Sequence, residues 1–270
     1  MALSAQPIAG ASAWGNPVSV TNGDGSGAAI VVCEHASNHI PADLRGLGCD
    51  EAVRQSHVAW DPGALPVASI MASMLDAPLV AATISRLVYD CNRPPEAESA
   101  MPAVSEIYDV PGNAGLTETQ RAERAERIYF PFRDALKSVI DGRLAGGRRP
   151  AIVTVHSFTP SYRGIERPFD LGILHDADTR LADTMLDQPE SLAGLDVRRN
   201  EPYGPDDGVT HTLKVHALPH GLLNVMIEIR NDIIRAAAQQ RAMAERLSGV
   251  VARALELCAA SDRTRVVGQK

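Results

Sequence analysis

The sequence predicts an α/β layered fold. Strand-like and helix-like segments alternate along its 270 residues, the pattern of a sheet covered by helices. Short apolar runs rich in β-branched residues, Ala28–Cys33 and Ala151–Val155 foremost, read as strands buried on both faces. Ionisable residues follow such runs directly, at the strand ends where open α/β sheets hold their ligands.

In chain order, residues 1–27 read as a flexible arm closing in the turn-rich Asn22–Gly27. The strand Ala28–Cys33 follows. Ala64–Leu75, after Pro62-Gly63, has helical apolar spacing, and Leu79–Asp90 is again strand-like. Pro94–Gly115 is a loop rich in Pro and small residues. Thr117 and Gln120 have capping-box spacing and open an amphipathic helix to about Leu144, stopped by Gly146-Gly147. Its charged stretch Arg121–Arg127 reads as a solvated face. The strands Ala151–Val155 and Leu171–Leu174, a helix near Thr179–Leu186, the strand Gly221–Ile229 and a helix over Ile233–Ala260 complete the chain.

Composition excludes several function classes. The chain has 26 basic and 33 acidic residues, net charge −7, and lysine only at positions 137, 214 and 270. Without a basic patch, nucleic acid is not an expected partner. No apolar run reaches the roughly 18 residues of a membrane span, and the first residues lack the positive charge of a secretion signal. The four cysteines are scattered without a CxxC pair, which fits a reducing cytoplasm and excludes a thiolate zinc site. Any metal site must come from His, Asp and Glu. Oligomeric state has no signature in the sequence.

His35 and His156 each follow a buried apolar run and are the metal-ligand candidates, since neutral imidazole is the usual zinc ligand. Each could equally be a hydrogen-bonded structural residue. Glu228, late in the last strand, could serve as general base or pair with Arg230. Arg86, Asp90, Asn92 and Arg93 form a cluster able to clamp an anionic amino-acid derivative or to make a strand-end ion-pair network. Period-two alternation places Arg86, Asp90 and Asn92 on one face. His57, His211, His216 and His220 read as loop or packing residues, Pro219 interrupting any helix between the last two.

The segments Cys33–Pro41, His57–Ala64, Val155–Ser157 and Ile227–Asp232 resemble, in order, the N-formylglutamate amidohydrolase family over about residues 28–235. That family looks like a distant relative of the zinc carboxypeptidases and of the aspartoacylase and succinylglutamate desuccinylase group. The pattern it shares with them is a zinc histidine, an Asp-x-Asn-Arg segment, a second histidine and a late glutamate. His35, Asp90–Arg93, His156 and Glu228 fill those places. The resemblance implies a single-domain three-layer α/β/α sandwich with a mixed central sheet, with residues 28–262 as the catalytic domain and 263–270 as a tail. It implies a zinc-type hydrolase of a small anionic N-acyl amino acid, N-formylglutamate first.

One position departs from the pattern. The aspartoacylase group has a glutamate ligand three residues after its first histidine, where this chain has Asn38. The third ligand of a catalytic zinc or other divalent metal would then be Asp61 or Glu34, of which Asp61 is preferred because Glu34 and His35 would face opposite ways on a continuing strand; a metal-free or metal-poor enzyme is the alternative. In the mechanism expected, His35, His156 and Asp61 hold the metal, Glu228 moves the proton, and Arg86 helps the oxyanion. Arg93, Asn92, Asp90 and Asn38, with Arg163 or Arg230, bind substrate. The alternatives are a cysteine amidase using Cys33 and a binding protein for acidic amino-acid derivatives that has lost its metal.

Overall fold

The structure is a computed structural model and describes residues 14–267, with side chains described through Ser261. In chain order come β1 (Val18–Thr21), β2 (Ala29–Cys33), α1 (Glu51–Gln55), α2 (Ala64–Met74) and β3 (Leu79–Ala82). A hairpin of β4 (Val104–Ser105) and β5 (Tyr108–Asp109) leads to α3 (Glu118–Arg124), which continues through a π turn into α4 (Phe130–Ala145). Then come β6 (Ala151–Phe158), the hairpin β7 (Ser161–Tyr162) and β8 (Ile165–Glu166), β9 (Leu171–Leu174), α5 (Arg180–Leu186), β10 (Val197–Arg199), β11 (Asn224–Arg230) and α6 (Ala237–Val267).

Seven of these strands form one mixed sheet in the order β1-β3-β2-β6-β11-β9-β10. β3, β2, β6 and β11 run parallel, β1 and β9 pair antiparallel, and β10 follows β9 in parallel. Alternation along the strands divides the core in two. Val31, Cys33, Val153, Val155 and Ile227 pack under α2, α5 and α6. Ile30, Val32, Ile152 and Met226 face the layer built by α4 and its π turn, with Ile128, Phe132 and Leu136. A sheet apolar on both faces needs a helical layer on each, and the fold is the expected α/β/α sandwich. None of the described helices is long and apolar enough to cross a membrane.

Several boundaries differ from the sequence reading. Residues 18–21, within the predicted arm, are edge strand β1, paired with β3 from Val18 opposite Ala82. The strand predicted over 79–90 ends at Ala82, because residues 85–89 fold on themselves. Val88 N donates to Ser85 O (2.9 Å), and Ser85 N reaches His39 O (2.8 Å). Leu87, Val88 and Tyr89 owe their apolarity to burial in the second core, so period two does not apply to Arg86, Asp90 and Asn92. β10 was missed because Val197 is its one apolar residue. α6 continues past Ala260 to Val267, and residues 1–13 and 268–270 of the predicted arm and tail lie outside the described residues.

Thr117 makes the predicted capping box with Gln120. The stretch Arg121–Arg127 is not wholly a solvated face, because Arg124 is buried. Its guanidinium donates to Asn113 Oδ1 (2.6 Å), Val88 O (3.2 Å) and Gly112 O (3.0 Å). Burial, helped by the charge of Arg121, lowers its pKa to about 10. Arg124 thus ties α3 to the loop that carries Arg86–Arg93. Arg124→Met strands these acceptors in the core and should cost about 3–5 kcal/mol, read as a lower urea midpoint at unchanged slope.

Candidate active site

The site lies at the carboxyl ends of β2, β6 and β11, on the sheet face covered by α4. His156 continues the face of Ile152 and Glu228 that of Met226, while Glu34, in the turn after β2, reaches the same space beside His156. Register sets Glu228 directly beside His156. β2 ends at Cys33, so the chain turns and His35 enters the same space instead of facing away. Asp61 is fixed just before α2: its N–H donates to His35 O (2.9 Å), and Gly63, at φ +84°, starts the helix where a Cβ would stand 2.6 Å from Ile234 O.

Three atoms converge. His35 Nδ1 and His156 Nδ1 lie 3.3 and 2.9 Å from Asp61 Oδ2, and 3.2 Å from each other. Tetrahedral zinc ligands at 2.0–2.1 Å from the ion stand roughly 3.3 Å apart, so the spacing of His35, Asp61 and His156 fits a divalent metal. A carboxylate stands behind each ring. His35 Nε2 meets Asp90 Oδ1 at 2.7 Å, and His156 Nε2 lies 3.2 Å from Glu34 Oε2. This arrangement turns both Nδ1 atoms toward Asp61, as outer carboxylates do for metal-binding histidines. Arg86 joins the network through Asp90 Oδ2 (2.8 Å) and Asp61 Oδ1 (3.5 Å).

Charge follows this pairing. Burial works to raise the Asp61 and Asp90 carboxyls, but His35, with His156 for Asp61 and Arg86 for Asp90, holds both well below the usual range. Burial works to lower His156, but Glu34 and Asp61 hold it well above the usual imidazole value, and His35 is raised against burial by Asp90 and Asp61. The cluster therefore attracts positive charge, either protons or a divalent cation. Glu228 differs. Burial dominates, against the charge of His156, and pushes its carboxyl up to about 7. Its Oε2 and both oxygens of Glu34 have no hydrogen-bond partner among the described residues.

The cluster opens onto a cavity of about 350 Å³ that His35, Asp61, Arg86, Arg93, His156 and Glu228 help to line. Other predicted site residues are committed elsewhere. Asn38 does not reach the cavity; its amide donates to Arg54 O (3.2 Å) and Gln55 Oε1 (2.9 Å), steadying α1. Arg230 is held by Asp170, Asp232 and the carbonyls of Pro168 and Phe169. Asn92 lines the cavity, yet its amide is tied to Val209 O and the Thr212 N–H. Asp90 stands behind His35 instead of facing substrate, and Glu34 stands behind His156 instead of beside Asp61. Arg163 caps the β7–β8 hairpin at a neighbouring recess. Cys33 is packed in the opposite core layer, where burial pushes its thiol well above the usual value, so it cannot serve as the amidase nucleophile.

Sequence reasoning also missed residues. His57, Glu106 and Tyr162 line the cavity from a turn and two hairpins with no apolar pattern to betray them. Tyr203, in a polar loop whose role the sequence left open, lines it too.

Buried imidazoles and carboxylates thus converge at the parallel strand ends of a mixed α/β/α sandwich, and the family match makes the protein a hydrolase. The chain belongs to the N-formylglutamate amidohydrolase family, whose model matches residues 27–235. A solved gene product from Agrobacterium tumefaciens is 54% identical, with 90% of this chain and 96% of that one covered at a TM-score of 0.88. The N-formylglutamate amidohydrolase from Ralstonia eutropha JMP134 is 20% identical, covers 91% and 99%, and gives a TM-score of 0.63, a likeness of fold. Comparison with curated proteins yields no match.

The directions of these shifts fix a pH dependence for the metal-free protein. Asp61 and Asp90, lowered on folding, contribute stability above the ordinary carboxylate value that is lost as pH falls through their folded values. His35 and His156, raised on folding, contribute stability below the ordinary imidazole value that is lost as pH rises through theirs. Melting temperature in chelator should peak between the two ordinary values, and Asp90→Asn should flatten the acid limb.

Proposed function

We propose that this chain hydrolyses the amide bond of an N-formyl acidic amino acid, N-formylglutamate first, with a divalent metal, zinc, held by His35, His156 and Asp61. The observation that carries the reading is the three-atom convergence beside Glu228, a buried carboxyl raised to about 7, in a chain of the N-formylglutamate amidohydrolase family. When bound, the metal would supply Lewis acidity toward water and the acyl carbonyl. Asp90 holds the His35 ring with Nδ1 inward by a hydrogen bond, and Glu34 faces Nε2 of His156 as a counter-charge. Glu228 takes a proton from the attacking water, the hydroxide oxygen adds to the formyl carbon, and the C–N bond breaks as the proton passes to the leaving nitrogen. Formate and the free amino acid result. Arg86, partly exposed at the cavity wall, faces the carbonyl oxygen as it gains charge.

Arg93 holds a substrate carboxylate. Its Nη1 donates to Asn92 O and Gly208 O, both at 2.9 Å, which braces the guanidinium at the cavity wall. Residues 28–262 form the catalytic unit, working in the cytoplasm.

Zinc content by metal analysis and a deformylase assay test the reading together. Glu228→Gln should keep the metal and lose about 100- to 10,000-fold in kcat; full activity with metal bound would overturn the base assignment. Activity should rise with pH as Glu228 ionises. A cation in the cluster opposes burial, so the inflection should lie at or below about 7. Asp90→Asn, which releases the outer bond of His35, should weaken zinc affinity about 10- to 100-fold by calorimetry.

A further inference from the structure

His57 is the one histidine lining the cavity that the mechanism above leaves unused. Its Nε2 meets Glu106 Oε2 at 2.7 Å. Its Nδ1 has no protein partner among the described residues. Glu106 stands at the tip of the β4–β5 hairpin, yet its side chain is only 9% exposed. Its Oε1 accepts from Arg163 N (2.9 Å), at the tip of the β7–β8 hairpin. Glu106 and Arg163 have φ values of +56° and +50°, a backbone region uncommon outside glycine and held where surrounding contacts over-determine it. Two hairpin tips are thus fastened to each other and to one imidazole. The fastening fixes the ring: Nε2 is turned to a carboxylate and Nδ1 is left beside the cavity, so a second carboxylate arriving there meets a ring that can donate from both nitrogens as its cation.

An acidic amino-acid substrate brings two carboxylates to be held. Arg86 is already shared between Asp61 and Asp90, Arg230 is bound outside the cavity, and the Asn92 amide is tied to backbone. Arg93 answers for one carboxylate. We infer that His57, anchored by Glu106, receives the second, the side-chain carboxylate, and so sets the preference for an acidic amino acid. The inference rests on the proposed N-formyl amino-acid hydrolysis and names the specificity residue of that same site.

The test compares kcat/KM of the full-length, zinc-supplemented protein on N-formylglutamate and on its neutral counterpart N-formylglutamine. His57→Gln keeps a hydrogen-bond donor but cannot become a cation donating to two carboxylates at once. It should lower kcat/KM for N-formylglutamate about 10- to 100-fold, chiefly through KM, and change N-formylglutamine by no more than about twofold. Glu106→Gln leaves the imidazole in place, should move the same ratio in the same direction by a smaller factor, and decides the matter if His57→Gln fails to fold. Equal losses on both substrates, or an unchanged ratio, overturn the assignment while leaving the hydrolysis standing. A wild-type protein inactive on both substrates overturns the functional reading and this inference with it.

Discussion

Everything at the carboxyl end of this sheet depends on two imidazoles sharing one carboxylate oxygen. His35 Nδ1 and His156 Nδ1 both lie on Asp61 Oδ2, at 4%, 2% and 2% exposure for the three residues. Unpaired charges at such depth would cost several kcal/mol each. The surroundings supply the pairing: Asp90 and Glu34 on the outer nitrogens, Arg86 across Asp61 and Asp90, and the Ser157 N–H on Asp61. Because each group is held from behind, none is free to turn away. The same constraint that makes the cluster tolerable in the fold preorganises it for a cation.

The sheet and its loops divide this work. Pleat alone puts His156 and Glu228 on one face, and register alone sets Glu228 against His156. These positions are as rigid as the core beneath them. His35, Asp61 and Arg86 come from turns, and each is fastened by backbone bonds that cross between segments. Asp61 N–H reaches His35 O, and Arg86 N–H reaches Ala59 O. Arg124, remote from the chemistry, holds the loop from which Arg86 and Asp90 project.

Much of this was legible in the sequence, for physical reasons that also mark where legibility stopped. β2, β6, β9 and β11 announce themselves because strands buried on both faces must be continuously apolar. His35, His156 and Glu228 stand out because an ionisable group against such a run needs a reason. Long-range pairing left no such trace. Nothing near Arg230 in sequence shows that Asp170 will occupy it, and nothing near Asn38 shows that its amide will steady α1. The segment after β3 misled for the opposite reason. Its apolar residues belong to a folded turn, and Arg86 meets Asp90 at four residues' separation, not by strand alternation. The preference for Asp61 over Glu34 rested on alternation beyond the end of β2, where the strand has already stopped. The two carboxylates part by position instead, Asp61 between the rings and Glu34 behind one of them.

The chemistry follows from how unequally the cavity treats two neighbouring carboxyls. Asp61 is buried, but two imidazoles and Arg86 compensate it, so it stays ionised. Glu228 is buried about as deeply, yet its Oε2 has no partner, and the nearby negative charge of Asp61 adds to its desolvation. One environment suits a permanent anion that holds a cation; the other suits a group that exchanges a proton near neutral pH. The difference does not reside in the residue types, which are chemically alike. It arises because His35 and His156 both turn their Nδ1 atoms to Asp61, leaving Glu228 without either ring as a partner.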